Sequence, residues 1–179
     1  MGAINNGEAG PPSPGGTRQL SNSCPLPSST TGCEPGWVTY HDKCYWFSNC
    51  YADWITSSSF CRSFHSKLAE PKTILEMNFL SGQAMTKGHG FWIGISDMIL
   101  ENHWVYASSL LPFTIQFWGH NEPNGGTTEN CAFISSSDGK LIDHKQSSEH
   151  LFICEIENEY VFFTISIHVL SRVRTKQNK

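Results

Sequence analysis

Seven cysteines stand at positions 24, 33, 44, 50, 61, 131 and 154 of a 179-residue chain, and no two of them form a Cys-x-x-Cys pair. That spacing argues against a zinc knuckle or a thioredoxin-like dithiol. It favours a disulfide-bonded domain matured in an oxidising compartment. The count is odd, so at least one thiol is free or bonded to another chain. Six tryptophans and eleven phenylalanines accompany the cysteines, and the length suits one domain with a real core plus some tail. Charged residues make up 16% and the formal net charge is −4. The basic field that drives nucleic-acid binding is therefore missing, and nucleic acid is excluded as a partner.

The ends differ from the middle. Residues 1–32 are rich in Gly, Pro, Ser and Asn with almost nothing apolar, which predicts a flexible arm. "GEAGPP" has the form of two collagen triplets, but "SPGG" breaks the period at once. The arm lacks the apolar run of roughly 7–15 residues that a secretory signal requires. The expected location is secreted or extracellular, with the signal outside this chain or export by an unconventional route. Residues 157–179 form a C-terminal extension in which Ile165, Ile167 and Val169 alternate with Thr164, Ser166 and His168, a strand pattern. Its apolar run, Tyr160 to Leu170, is far short of the roughly 20 residues that span a bilayer.

Between these ends, "GWVTYHDKCYWF" reads as two short strands around a His-Asp turn. "DWITSSSFCRSFHSKLAE" has Trp54, Phe60 or Cys61, Phe64 and Leu68 at about helical spacing, with Asp53 as N-cap. A second helix fits "TILEMNFLSGQAM", with Thr73 as cap, Ile74, Leu75, Phe79 and Leu80 on its apolar side, and Gly88 and Gly90 as the stop. "FWIGIS", "HWVY", "CAFI" and "LFICEIE" are strand-like runs. The fold class is α+β: two helices with short antiparallel sheets and a long loop region. The irregular stretch from Trp104 to Cys131 is too long for an idle connection, and its aromatic content predicts an ordered one. Within it, "HNEPNGGTTENC" sets two carboxylates and three amides around one proline and two glycines, with no apolar residue to anchor it.

"GWVTYHDKCYWF", "FCRSFHSKLAE", "FWIGISD", "EPN", "ENCAFI" and "LFICE", in this order, resemble the C-type lectin-like domain family over about residues 33–156. The resemblance implies disulfides Cys33–Cys44 and Cys61–Cys154. By the same resemblance, and as a large apolar ring between strands, Trp92 belongs to the core. The partner the family would give Cys131 falls near Gln146, so Cys131 is widowed. With Cys24 and Cys50 also outside the usual pairs, an interchain disulfide dimer and a tolerated free thiol are both open.

In sugar-binding members "EPN" supplies calcium ligands through a cis proline. The resemblance carries that role to Glu122, Asn124, Glu129 and Asp143, as ligands of both calcium and carbohydrate. Carboxylate and amide oxygens suit this hard cation, which takes about 6–8 of them. Where the family has Trp-Asn-Asp, this chain has Leu141, Ile142 and Asp143. Ile142 offers neither an oxygen to the metal nor an N–H to a sugar, so the site is expected to be weakened. A second calcium position matches only Asp97 and Glu101, because Gly125 and Asn130 stand where acids are expected.

The order Glu-Pro-Asn implies mannose-type sugars, and the partners implied are glycans on glycoproteins or on microbial surfaces, the setting of innate immunity. An enzyme is not expected: the eight histidines are scattered, and neither Gly-x-Ser-x-Gly nor His-Glu-x-x-His occurs. The alternative is a calcium-independent domain of the same fold that has abandoned sugar for a protein ligand, as Ile142 and the lost disulfide suggest.

Overall fold

A computed structural model describes residues 33–157. The predicted arm 1–32 and all but the first residue of the C-terminal extension 157–179 lie outside the described residues, as does Cys24.

The chain begins with the expected hairpin, β1 (Val38–Tyr40) and β2 (Lys43–Phe47), paired Tyr40 to Lys43. His41 turns it with φ 52°. Helix α1 (Trp54–Ser63) starts where Asp53 accepts the Thr56 N–H at 2.7 Å. It is shorter than the spacing suggested. Phe64 caps it, and Leu68 lies in β3 (Lys67–Leu68), whose partner is the last strand. Two residues leave too little alternation for a strand to be read locally.

Helix α2 (Ile74–Lys87) is capped by Thr73 and ends at Gly88 in the left-handed region, φ 68°. Its buried face overlaps the predicted one at Leu80, with Phe79 packed beside the core, but is shifted. Met77, Leu80, Ser81 and Ala84 form the i, i+3, i+4, i+7 stripe, whereas Ile74 and Leu75 are exposed. Glu76, on the same helix, is buried because Lys43 (2.6 Å) and Tyr45 reach it from β2.

The remaining strands are β4 (Phe91–Ser96), β5 (Val105–Tyr106), β6 (Cys131–Ile134), β7 (Leu141–His144) and β8 (Leu151–Glu157). The order is β1-β2-β8-β4-β6-β7, with β3 on β8 and β5 on β4. The β4–β8 pair is parallel and the rest are antiparallel. Every residue of β4 is buried, and Trp92 sits in the core as expected. Gly94 lets the chain behind it approach closely, since a Cβ there would lie 2.7 Å from the Leu68 carbonyl oxygen.

Cys33–Cys44 closes the hairpin, and Cys61–Cys154 ties α1 to β8 across 93 residues. In the chain-entropy model a bridge of that span stabilises by about 4–5 kcal/mol. Cys50 is also disulfide-bonded.

The long loop is ordered by aromatic anchors, as its composition suggested. Phe113 and Phe117 are buried, the Tyr106 hydroxyl donates to the Pro71 carbonyl at 2.7 Å, and Trp104 meets Trp118 edge-on at 4.6 Å. Gly119 and Phe117 exchange backbone hydrogen bonds with Leu141, so the loop is laid beside β7.

Candidate functional site

The site is built where the loop 119–130 folds over β7. Along β7, Leu141 and Asp143 are buried while Ile142 and His144 are half-buried, the period-2 pattern of a strand. Asp143 is only 4% exposed. Its carboxylate accepts the Asn124 N–H at 3.0 Å and the Gly125 N–H at 2.7 Å, which pins the segment after Pro123 to the strand. The Glu122–Pro123 bond is cis. The Glu122 N–H donates to the Gly119 carbonyl at 3.2 Å. A 3-10 turn, Gly126–Thr128, then leads to Glu129. Glu129 folds so closely over Gly125 that a Cβ at that position would lie 2.2 Å from its own. The glycine standing where the family pattern has an acid is thus a requirement of this loop.

Electrostatically the cluster is under-compensated. Glu122 Oε2 is buried and has no hydrogen-bond partner. Burial first, then the adjoining Asp143 carboxyl and Glu129, push the Glu122 carboxyl up to about 7. No lysine or arginine forms an ion pair with Glu122, Glu129 or Asp143 among the described residues. Of the four predicted ligands, the structure brings Glu122 and Asp143 into direct interaction. It holds Asn124 against Asp143 through its backbone, and sets Glu129 near enough for its charge to act on Glu122. Among the described residues no group of three His, Cys, Asp or Glu side chains is arranged to hold a metal ion. The quartet is neighbouring, without its carboxylates converging on one point.

The second predicted pair lies close by. Asp97 is buried, donates its N–H to the Asn130 carbonyl at 3.2 Å, and accepts the Asn102 N–H at 2.9 Å through Oδ2, leaving Oδ1 without a partner. Asn130 Oδ1 is likewise buried and unpartnered. Burial pushes the Asp97 carboxyl up, with Asp143 adding to it, and Glu101 is also raised, by desolvation first and then by the Asp97 and Asp143 charges. Three unsatisfied oxygens, on Glu122, Asp97 and Asn130, therefore sit in the loop region. Isolated oxygens of this kind are costly unless something compensates them. Carboxylate and amide oxygens are the donor types that a hard cation accepts.

Ile142 stands opposite Phe133 in the β6–β7 register. Beside it, His144 and His150 pack against Trp92 and Phe133, with His150 4.3 Å from Phe133 and 4.7 Å from His144 between ring centroids. Burial, helped by His144, lowers the His150 pKa to about 4. Sequence reasoning passed over this pair, because scattered histidines carry no local signal.

Cys131, at the start of β6, is a free cysteine with 0% exposure. Burial pushes its thiol far up. Of the two alternatives left open for Cys131, the structure has the free thiol, sealed in the core cluster that holds Trp92 and Phe152.

Residues 51–156 match the family model described as the lectin C-type domain. Over 125 residues the chain is 31% identical to C-type lectin domain family 4 member M of Pan troglodytes, covering 69% of this chain and 28% of that protein. It is 32% identical over the same length to CD209 antigen of Homo sapiens, covering 69% and 30%. The chain thus spans about 30% of the length of these curated relatives. Among solved structures, the mouse scavenger receptor C-type lectin carbohydrate-recognition domain is similar at TM-score 0.66 and 27% identity, covering 71% of this chain and 98% of that one. The cow CD23 carbohydrate-recognition domain is similar at TM-score 0.64 and 28% identity, covering 72% and 98%. A calcium-independent type II antifreeze protein, 19% identical at TM-score 0.64 and covering 72% and 97%, shares the fold.

Proposed function

We propose, from the premise that this chain belongs to the C-type lectin domain family, that it is a calcium-dependent lectin whose loop 119–130 and β7 take mannose-type glycans through a weakened site. As a member of that family it is a binding protein and not an enzyme. The observation that carries the finer reading is the acid cluster without counter-ions: Glu122 with a buried, unpartnered oxygen beside Asp143 and Glu129. Glu122, Asn124, Glu129 and Asp143 would hold the ion.

Calcium, when bound, supplies positive charge for these carboxylates and a point of attachment for sugar hydroxyls. Asp143 holds the loop onto the strand by accepting the Asn124 and Gly125 N–H groups. Gly125 lets Glu129 fold inward. Ile142 contributes no oxygen or donor, which is why the site is read as weak. The cow CD23 domain was solved in the presence of a GlcNAc2Man3 oligosaccharide, which favours a sugar of this class here. The setting proposed is extracellular, with glycans of glycoproteins or microbial surfaces as partners.

That no group of three ligands is arranged for a metal among the described residues, together with Ile142, favours the second reading, a calcium-independent domain that takes a protein. Retention of the full chain on immobilised mannose separates the two. The lectin reading expects retention in millimolar calcium and release by EDTA. Passage of folded protein straight through the column in calcium would leave the protein-binding reading.

A further inference from the structure

We infer that the groove between α1 and the loop 97–111 is a second ligand site, fitted to the alkyl chain of an anionic amphiphile whose head group meets Arg62. The groove encloses about 470 Å³, within the range of small-molecule sites. One wall is a face of α1: Ile55 and Arg62 both line it, seven residues apart and so two helical turns along one stripe. The other wall is Met98, Ile99 and Leu110, and Leu68 lies at the base.

The apolar rim is exposed rather than folded away. Ile55, Ile99 and Leu110 are 44%, 72% and 57% exposed, and Leu100 and Leu111 beside them are exposed as well. A contiguous apolar rim around a concavity marks a binding surface. Leu110 is held there and is not simply loose. Its N–H donates to the Tyr106 carbonyl at 2.8 Å, the Tyr106 N–H donates to the Leu111 carbonyl at 3.0 Å, and its own φ is 57°. A leucine in the left-handed region is strained, and such strain persists where the surroundings fix it, as in ligand clamps.

Charge selects the occupant. Lys67, also in the groove, is paired with Glu70 at 3.1 Å and with Glu155 at 3.4 Å, and Glu70 is further satisfied by Lys72 and Ser108. Arg62 has no carboxylate partner among the described residues; its one side-chain bond is to the Ser59 hydroxyl at 3.1 Å. An apolar groove lined in part by an uncompensated guanidinium is complementary to an alkyl chain bearing a carboxylate or similar anion.

The test titrates the full chain with decanoate, decanol and butyrate below micelle formation, read by tryptophan fluorescence, since Trp54 lines the groove. Decanoate is expected to bind saturably at one site, decanol two- to fivefold more weakly as suits an exposed ion pair, and butyrate not at all. Arg62→Gln should bring decanoate down to the decanol level and leave decanol unchanged. Ile99→Ser with Leu110→Ser should weaken both by about tenfold. These substitutions are on the surface, and unchanged melting curves would show that each variant folds.

EDTA should alter none of this, which keeps the result separate from the calcium site. Decanoate binding that vanishes with EDTA, that ignores Arg62→Gln, or that never saturates would overturn the inference. So would self-association of the chain abolished by Ile99→Ser in the absence of any decanoate binding.

Discussion

Two groups of acids in this molecule are treated in opposite ways. Glu70, Glu76 and Glu155 join β2, β3, α2 and β8, and each is met by lysine, tyrosine, serine or backbone donors. Against the burial that would raise them, the Ser108 hydrogen bonds hold Glu70 low, and Lys43 and Tyr45 hold Glu76 low, while burial still raises the Glu155 carboxyl although Lys43, the Glu70 N–H and Lys67 oppose it. Glu122 and Asp97, in and under the loop region, each keep a buried oxygen unpartnered, and among the described residues no lysine or arginine forms an ion pair with them, with Glu129 or with Asp143, which is met by backbone N–H groups. Acids compensated from within are structural. The unpartnered oxygens of Glu122 and Asp97 have no such compensation among the described residues, and under the proposed function a cation would supply it.

The comparison breaks if the two groups respond alike to mutation. Glu155 is 1% exposed and accepts the Glu70 N–H at 2.8 Å as well as both lysines. Glu155→Ala is expected to cost about 3–5 kcal/mol in urea unfolding, as for a broken buried pair. Glu122→Gln without calcium should cost nothing or stabilise, because it removes an unfavourable charge. Equal losses for both would abolish the distinction.

A smaller effect comes from calcium itself. At ten times its Kd the ion should stabilise the chain by about 1.4 kcal/mol, seen as a rise in Tm that EDTA reverses. A melting curve indifferent to millimolar calcium would assign the loop acids no cation. Smaller again, Ile142→Asn should strengthen calcium and mannose binding several-fold, on the order of 1 kcal/mol, by adding a carbonyl oxygen and an N–H donor. Ile142 is half-buried opposite Phe133, so stability has to be followed in the same samples.

Further effects are in pH. Without calcium, Glu122 keeps its proton in the folded state up to about 7 but loses it near 4.5 when unfolded. The folded state therefore binds more protons in that window, and its contribution to stability falls as pH rises from about 4.5 to 7. His150, held neutral down to about 4 against an ordinary 6.5, works in reverse: its contribution is complete above 6.5 and is lost as pH falls toward 4. Glu122→Gln and His150→Gln should each remove one slope from the Tm–pH profile. A profile unchanged by both variants would mean that neither group is shifted.

What the sequence disclosed was local in origin. Asp53, Thr73, the His41 turn and Gly88 were legible because a cap or a left-handed residue acts within a few positions. The buried face of α2 is legible at Phe79 and Leu80 but not in its first turn, where Glu76 is drawn inward by Lys43 and Tyr45, more than thirty residues earlier, and Ile74 and Leu75 are exposed. Strand β3 was invisible because it exists only through β8, some 85 residues on. The Glu-Pro-Asn motif singles out the loop that folds over β7. The use of both Asp143 oxygens to hold backbone N–H groups, and the fit of Gly125 beneath Glu129, depend on a strand and a turn that sequence spacing does not bring together.

The central claim, that the uncompensated loop acids await a cation, is tested most directly by counting protons as calcium is added. A carboxyl near 7 is about half protonated at pH 7, and a metal must displace that proton to use the oxygen. Titration of the full chain in weakly buffered solution is expected to release about half a proton per calcium bound at pH 7 and almost none at pH 9, with the release abolished in Glu122→Gln. Calcium binding with no proton release at pH 7, or release unaltered by Glu122→Gln, would contradict the account.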